Sequence, residues 1–172
     1  MLRALGYTEI RVFHMNEGHS ALATLALMEE RARQQPQYRF SENEVAGVRQ
    51  QCAFTTHTPV PAGHDRFNPE LVGRVLGERR VGVLNQLRVM NGSLNMTELA
   101  LRFSGFVNGV SMRHGEVSRA MFPNHHIDAI TNGVHAGTWT AAPMAALFDR
   151  TIPEWRRDNC FLRYAIGTPL SE

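Results

Sequence analysis

The sequence contains no lysine, and all 18 of its cationic side chains are arginine. A chain without lysine cannot form a Schiff base with an aldehyde cofactor and offers no lysine amine for catalysis. Two cysteines among 172 residues, Cys52 and Cys160, do not make the disulfide framework of a small secreted protein. No apolar run approaches the roughly 20 residues of a membrane-spanning helix, and the N-terminal residues lack the apolar stretch of a secretory signal. We therefore expect a cytoplasmic protein that does not associate with a membrane.

Charge of either sign is also sparse. The formal net charge is +2, and adjacent arginines occur only at 79–80 and 156–157. No basic stripe is interleaved with aromatic residues, so we do not expect a nucleic acid partner. A hydrophobic content of 43% with 20% charged residues is typical of a chain that forms a packed core.

Short β-branched and aromatic segments alternate with helical patterns along the chain. Strands are predicted at 8–15, 53–56 and 127–131. Helix starts are predicted at the polar capping residues Ser20, Ser41, Asn68, Asn95 and Ser111. This alternation predicts an α/β layered domain.

Other segments carry weaker signals. Pro36 predicts a break within the polar segment 34–40, and four glycines leave the segment 73–95 ambiguous. The stripe that begins with Val45 and Val48 extends to Cys52, and the stripe from Met96 extends to Phe106. Asn108-Gly109 and Asn132-Gly133 have the composition of turns.

Four polar segments stand out: HMNEGH at 14–19, FTTHTPVPAGHDRF at 54–67, NGVSMRHGEVSR at 108–119 and ITNGVH at 130–135. Most of them follow or end a short apolar run. Loops at strand ends are where α/β proteins bind polar ligands. The pattern therefore indicates a polar, hydrogen-bonding pocket.

The residue types leave several interpretations open. His14, Asn16, Glu17 and His19 could ligate a metal, bind a hydroxyl-rich ligand or only cap the local chain. His57 could be a general base or could act through its backbone carbonyl. A hydrolytic triad has little support because no nucleophile is expected beside His57. The residue types alone thus indicate an α/β domain with a polar pocket for a sugar-like ligand.

Four longer blocks together resemble the α-glucan phosphorylases, the glycogen, starch and maltodextrin phosphorylase family, and most of all its shorter bacterial and archaeal branch. The blocks are HMNEGHSALATLALMEE, CAFTTHTPVPAGHDRF, MTELALRFSGFVNGVSMRHGEVSRAMF and ITNGVHAGTW, in this order. The resemblance implies a two-domain GT-B type glycosyltransferase. Residues 1–131 would be the C-terminal part of the first Rossmann-like domain, and 132–172 the crossover and the start of the second.

The family reaction releases glucose 1-phosphate from an α-1,4-glucan with inorganic phosphate and retains the anomeric configuration. By resemblance, Glu17 and His19 lie near the sugar end of the cleft. His57 matches the catalytic histidine, whose ring contacts the glucose 6-hydroxyl and whose carbonyl faces the developing positive charge. Asn132 matches the asparagine that binds glucose hydroxyls. His114 and Glu116 match a motif of structural or cleft-lining role.

The family cofactor is pyridoxal phosphate, bound to a lysine that this chain does not contain. We therefore expect an internal fragment that is inactive alone, from a parent whose partners are glucan and phosphate and which could form a homo-oligomer. Two alternatives are a non-catalytic glucan-binding module of the same fold and a His-rich metal-dependent hydrolase.

Overall fold

A computed structural model describes residues 3–33 and 41–168 of the chain. The predicted break at Pro36 lies outside these residues. The described chain divides into two compact units, the first ending at Thr131 and the second beginning at Asn132.

The first unit is built on a four-stranded parallel sheet. Its strands are β1 (Phe13–Asn16), β2 (Cys52–Thr56), β5 (Phe106–Gly109) and β6 (Asp128–Ala129), in the spatial order β1-β2-β5-β6. Parallel neighbours need crossover connections, and each connection here contains at least one helix. The predicted α/β class is therefore confirmed, with a sheet of the kind found in Rossmann-like domains.

The strand register separates a buried row from a polar row. Met15, Phe54 and Val107 are paired across three strands, and each is at most 6% exposed. One position further along, Asn16, Thr55, Asn108 and Asp128 are paired across all four strands. Successive side chains point to opposite faces of a sheet. One face thus carries core residues, while the other carries polar groups near the carboxyl ends of the strands.

Helices α1 (Leu22–Arg33) and α2 (Glu42–Arg49) connect β1 to β2. The capping box at Ser41 is confirmed, because Ser41 Oγ accepts from the Asn43 N–H at 3.3 Å and the Glu44 carboxylate accepts from the Ser41 N–H at 2.9 Å. Ser20 is not the cap of α1 as predicted. It ends a short 3₁₀ helix, Gly18–Ser20, whose N-cap is Glu17.

Helices α3 (Pro69–Leu76), α4 (Glu78–Gln86) and α5 (Met96–Arg102) lie between β2 and β5, with a 3₁₀ turn at Pro61–Gly63. A small antiparallel sheet joins β3 (Arg66–Phe67) to β4 (Leu94–Asn95). The predicted caps Asn68 and Asn95 accept hydrogen bonds from backbone N–H groups of the helices that follow them. Helix α6 (Met112–Met121) is capped by Ser111 as predicted.

The core of the first unit is formed by side chains of α1 to α5 and of the apolar face of the sheet. Phe54, Met28, Leu99, Leu101 and Phe103 are among its most completely buried side chains. Cys52 belongs to the same core, and burial raises the pKa of its thiol to about 11.

The second unit contains α7 (Ala136–Trp139), α8 (Ala142–Thr151) and a 3₁₀ segment, Asn159–Gly167. Its own core gathers Ala136, Ala145, Ile152 and Trp155. Asp149 accepts hydrogen bonds from Arg156 at 2.7 and 2.9 Å and from Trp155 Nε1 at 2.9 Å. The Arg156 hydrogen bonds, and then the Trp155 one, lower the pKa of Asp149 to about 2.

Several local predictions were wrong. The first strand begins at Phe13 instead of residue 8, and the last covers only Asp128–Ala129. Cys52 and Phe106 are the first residues of β2 and β5 and do not continue helical stripes. Asn108-Gly109 ends β5 and forms no turn, and Asn132-Gly133 lies in irregular chain.

No helix in the described ranges is both long enough and apolar enough to cross a membrane.

Candidate functional site

The polar segments of the first unit meet where its strands end. Asn16 closes β1, Thr56 closes β2 and Gly109 closes β5, and the three strands are parallel. The segments that follow therefore leave the same edge of the sheet. This edge is where open α/β sheets bind their ligands.

Glu17 connects the first two of these segments. Its Oε2 accepts hydrogen bonds from the His57 backbone N–H at 2.7 Å and from Thr58 Oγ1 at 2.8 Å. Its Oε1 accepts from the Gly18 N–H at 3.2 Å and from Thr56 Oγ1 at 3.3 Å. A carboxylate offers about four acceptor positions, so these four donors satisfy the group.

The backbone of Glu17 adopts a conformation that non-glycine residues rarely take, with φ 69° and ψ 163°. Such a residue persists only where its surroundings hold it, and it is commonly found at functional sites. Two contacts hold this one: its N–H donates to the Thr55 carbonyl at 2.9 Å, and its carboxylate receives the four donors above. The strained turn thus aims the Glu17 side chain at the segment after β2.

Burial alone would raise the pKa of the Glu17 carboxyl. The hydrogen bonds from His57, Thr58, Gly18 and Thr56 outweigh this effect, and the pKa lies below its ordinary value of 4.5. Glu17 is therefore ionised at neutral pH, which strengthens each of its hydrogen bonds.

The His57–Thr58 peptide is held on both sides. On one side, the His57 backbone N–H donates to Glu17. On the other side, the Thr58 hydroxyl donates to Glu17. The carbonyl of His57 lies between the two anchors. The His57 side chain is exposed, so its imidazole is accessible to a ligand.

A second polar chain crosses the sheet through His14, Thr55 and Asn108. Thr55 Oγ1 donates to Asn108 Oδ1 at 2.9 Å and lies 2.7 Å from His14 Nε2. The Thr55 hydroxyl thus links the His14 ring to the Asn108 side chain. Asn108 in turn donates to the Gly109 carbonyl at 3.1 Å. This network orders the polar face beneath the strand ends.

His114 supports the segment after β5 from inside the protein. It is 8% exposed, and its Nδ1 accepts a hydrogen bond from the Val110 N–H at 3.2 Å. Its Nε2 lies 3.5 Å from Ser118 Oγ. These contacts agree with a structural role for this residue. Glu116 instead is exposed and pairs with Arg113.

The remaining sequence-predicted residues are solvent-accessible. His19 is exposed within the 3₁₀ helix that Glu17 caps. Asn132 is the first residue of the second unit and is also exposed. The structure thus brings Glu17 together with His57, and it leaves the side chains of His19 and Asn132 accessible to solvent.

His64 was not assigned a role from the sequence, although it lies in the block at 54–67. It is 7% exposed, its Nδ1 lies 2.9 Å from Thr97 Oγ1, and its ring meets the Phe122 ring edge-on. Burial, with smaller contributions from Arg66 and His114, lowers its pKa below 6.5 against the opposing effect of Glu17. The neutral ring thus ties the segment after β2 to α5. The sequence PAGH at 61–64 is rich in turn residues. It therefore indicated a loop, and it did not indicate that the imidazole of His64 is buried.

The chemistry of these residues bears on two cofactor classes. Within residues 3–33 and 41–168, no group of three or more His, Cys, Asp and Glu side chains is arranged to hold a metal ion. Pyridoxal phosphate forms its Schiff base with a lysine, and this chain has none. This chain therefore supplies no lysine for that cofactor.

Comparison with known proteins identifies relatives of the chain. It is 38% identical over 159 positions to a glycogen phosphorylase of Mycobacterium tuberculosis (strain H37Rv), which covers 78% of this chain and 18% of the relative. It is 36% identical over 175 positions to a maltodextrin phosphorylase of Thermococcus litoralis, covering 92% of this chain and 20% of the relative. A glycogen phosphorylase of Aquifex aeolicus is 27% identical over 158 positions.

The chain spans about a fifth of the length of these relatives. No protein-family model matches it.

Proposed function

Because this chain is related over most of its length to the glycogen and maltodextrin phosphorylases, we propose that it supplies the glucose-binding side of an α-1,4-glucan phosphorylase. The reaction would transfer a terminal glucose to inorganic phosphate with retention of configuration. The partners would be the glucan and phosphate. The pyridoxal phosphate lysine would have to come from residues outside this chain, so we expect the chain alone to be inactive.

The observation that carries this proposal is the attachment of the His57 segment to Glu17. A peptide carbonyl that faces a developing positive charge stabilises it best when its direction is set in advance. Glu17 binds the backbone nitrogen of His57 and the hydroxyl of Thr58, so the intervening carbonyl does not have to reorient during the reaction. In this proposal Glu17 acts on the sugar through His57.

The other residues have simpler proposed roles. The exposed imidazole of His57 donates to, or accepts from, a hydroxyl of the terminal glucose. His19 presents a further hydrogen-bonding group to this sugar. For Asn132, in the second unit, the proposed role is to bind glucose hydroxyls in the parent enzyme. His114 and Asn108 hold the segment after β5 in place. Such groups accelerate a reaction by orientation only when the whole site is assembled.

The direct test is titration of the isotope-labelled chain with maltopentaose, followed by NMR. We expect shifts of the amides of residues 17–19 and 56–58. His57→Ala and Glu17→Gln should each weaken sugar binding by about tenfold, since each loses a hydrogen bond involving a charged or polar group. Glu9→Gln is the matched control, because Glu9 is exposed on the same unit. Equal affinity in all four proteins would refute the assignment.

A second experiment separates an enzyme segment from a binding module. This chain would replace the aligned segment of the Thermococcus litoralis maltodextrin phosphorylase, with which it shares 36% identity. Release of glucose 1-phosphate by the hybrid, and its loss with His57→Ala, supports the enzymatic role. Sugar binding by the chain together with a folded but inactive hybrid would favour a non-catalytic glucan-binding module.

A further inference from the structure

A second polar pocket lies at the amino ends of the strands, away from the segments described above. It has a volume of about 300 Å³ and is lined by Arg88, Glu98, Arg102, Asn124, His125 and several apolar residues. A smaller hollow of about 80 Å³ shares His125 with it and reaches Phe106, the first residue of β5. The pocket is thus on the edge of the sheet opposite to His57.

Cationic groups from separate elements converge at this pocket. Arg102 is the last residue of α5, and Arg88 follows α4 in a left-handed conformation with φ 54°. Arg49, the last residue of α2, lines the smaller hollow beside His125. Among the described residues none of these three arginines takes part in an ion pair. Glu98 is the one carboxylate on the wall of the larger pocket, so positive charge is in excess there.

Two buried polar atoms at this place have no hydrogen-bond partner within the described chain. They are Nε of Arg102 and Oγ of Ser104, and the latter belongs to a residue that is 2% exposed and lines the smaller hollow. Leaving a buried donor without an acceptor costs about 1–3 kcal/mol, and more for a charged group. Both atoms can donate a hydrogen bond, so an acceptor is the missing partner at this place.

The environment of His125 is consistent with an excess of positive charge at the pocket. Burial lowers its pKa below 6.5, Arg49 and Arg102 lower it further, and Glu98 opposes them. Asp128 and His126, which precede or begin β6, are the other titratable groups at the smaller hollow. Arg49, Arg88 and Arg102 thus face two carboxylates, Glu98 and Asp128, which leaves one positive charge in excess across the two hollows.

We propose that this pocket is an anion site that binds phosphate or a small phosphomonoester, with the guanidinium groups of Arg102 and Arg88 as its main donors. Guanidinium groups match the geometry of phosphate oxygens and bind them through paired hydrogen bonds. A volume of about 300 Å³ is at the lower end of ligand pockets, which suits a small anion. The site does not depend on the proposed sugar site.

The test is titration of the full chain with inorganic phosphate at constant ionic strength, measured by calorimetry and by NMR. We expect saturable binding that Arg102→Gln weakens by about tenfold or more. Arg74→Gln is the matched control, because Arg74 is exposed on α3 and lines none of these hollows. Phosphate should also raise the pKa of His125, since a bound anion offsets Arg49 and Arg102.

A variant of an exposed arginine separates loss of phosphate binding from loss of folding. Arg88 is exposed, so Arg88→Gln should fold and should also weaken phosphate binding about tenfold. His57→Ala should bind phosphate as the unchanged chain does, which separates this site from the sugar site. A parallel titration with a hexose phosphate shows which source of phosphate is preferred. Equal phosphate affinity in Arg102→Gln, Arg88→Gln and Arg74→Gln, or an equal response to chloride, would overturn the proposal.

Discussion

At the scale of single residues, Glu17 fixes the position of the segment after β2 through its side-chain hydrogen bonds. Its side chain joins two segments that are about 40 residues apart in the sequence, and its backbone accepts a strained conformation to do so. The sequence suggested a sugar-binding role for Glu17 by resemblance. The contacts favour a positioning role for it, because its oxygens already receive four protein donors.

We predict that Glu17→Gln destabilises the chain by about 1–3 kcal/mol at neutral pH, because an amide repels some of the donors that a carboxylate accepts. The folded-state pKa of Glu17 is below 4.5. Its ionised form therefore stabilises the fold above that value, and the contribution is lost as the pH falls through the lowered pKa. Urea unfolding above and below pH 4.5 should show the difference between the two proteins shrinking in acid.

Glu9→Gln is the control for this measurement, since Glu9 is exposed. It should change the free energy of unfolding little at either pH. A constant difference between Glu17→Gln and the unchanged chain across the whole range would contradict the assigned role of the carboxylate.

At the scale of elements, α2 and the start of β5 approach each other closely beside the smaller hollow. Gly105 lies directly before β5, and its N–H donates to the Cys52 carbonyl at 3.0 Å. A Cβ at this position would lie 2.5 Å from the backbone oxygen of Arg49. The end of α2 and the start of β5 can therefore contact each other only because residue 105 has no side chain.

Gly105→Ala should destabilise the chain by about 1–3 kcal/mol, because backbone atoms must move to accept the methyl group. Gly82→Ala is the matched substitution: Gly82 lies within α4, and a Cβ there would meet nothing within 4 Å. It should stabilise the chain by about 0.4–1 kcal/mol. Thermal unfolding of both variants tests the pair, and equal effects of the same sign would show that the approach to Arg49 is unimportant.

At the scale of the whole molecule, each of the two units has its own hydrophobic core. The larger core lies entirely within the first unit and ends at Ile127. The smaller one is centred on Trp155, which is 1% exposed. The interpretation of these units as parts of two successive family domains stays a prediction.

We predict that residues 1–131 fold without the second unit, because all the elements of the parallel sheet and its core are included. NMR spectra of this segment should superpose on those of the same residues in the full chain, and phosphate binding should persist. In the full chain, Trp155→Ala should disrupt only the second unit, at a cost of about 3–5 kcal/mol for a buried Trp. Collapse of the 1–131 spectrum in either case would show that the units are interdependent.

Part of this fold could be predicted from the sequence, and the reason is the range of the interactions. The caps at Ser41, Asn68, Asn95 and Ser111 were predicted correctly because a cap joins residues two or three apart. Strand ends were predicted less well. Residues 8–12 have strand-like composition. The register pairs Phe13 with Cys52, the first residue of β2, so β2 has no residue that could pair with residues 8–12.

The sequence by itself determined the α/β class, the helix starts at Ser41, Asn68, Asn95 and Ser111, and the absence of a lysine for a cofactor. Composition and local spacing suffice for these. Only the tertiary structure decided that Glu17 holds His57, that His64 is buried, and that Arg88 and Arg102 share a pocket. Those residues are brought together by strand pairing and by helix packing between separate parts of the chain. Such contacts depend on the packing of the whole unit, and no short pattern in the chain encodes them.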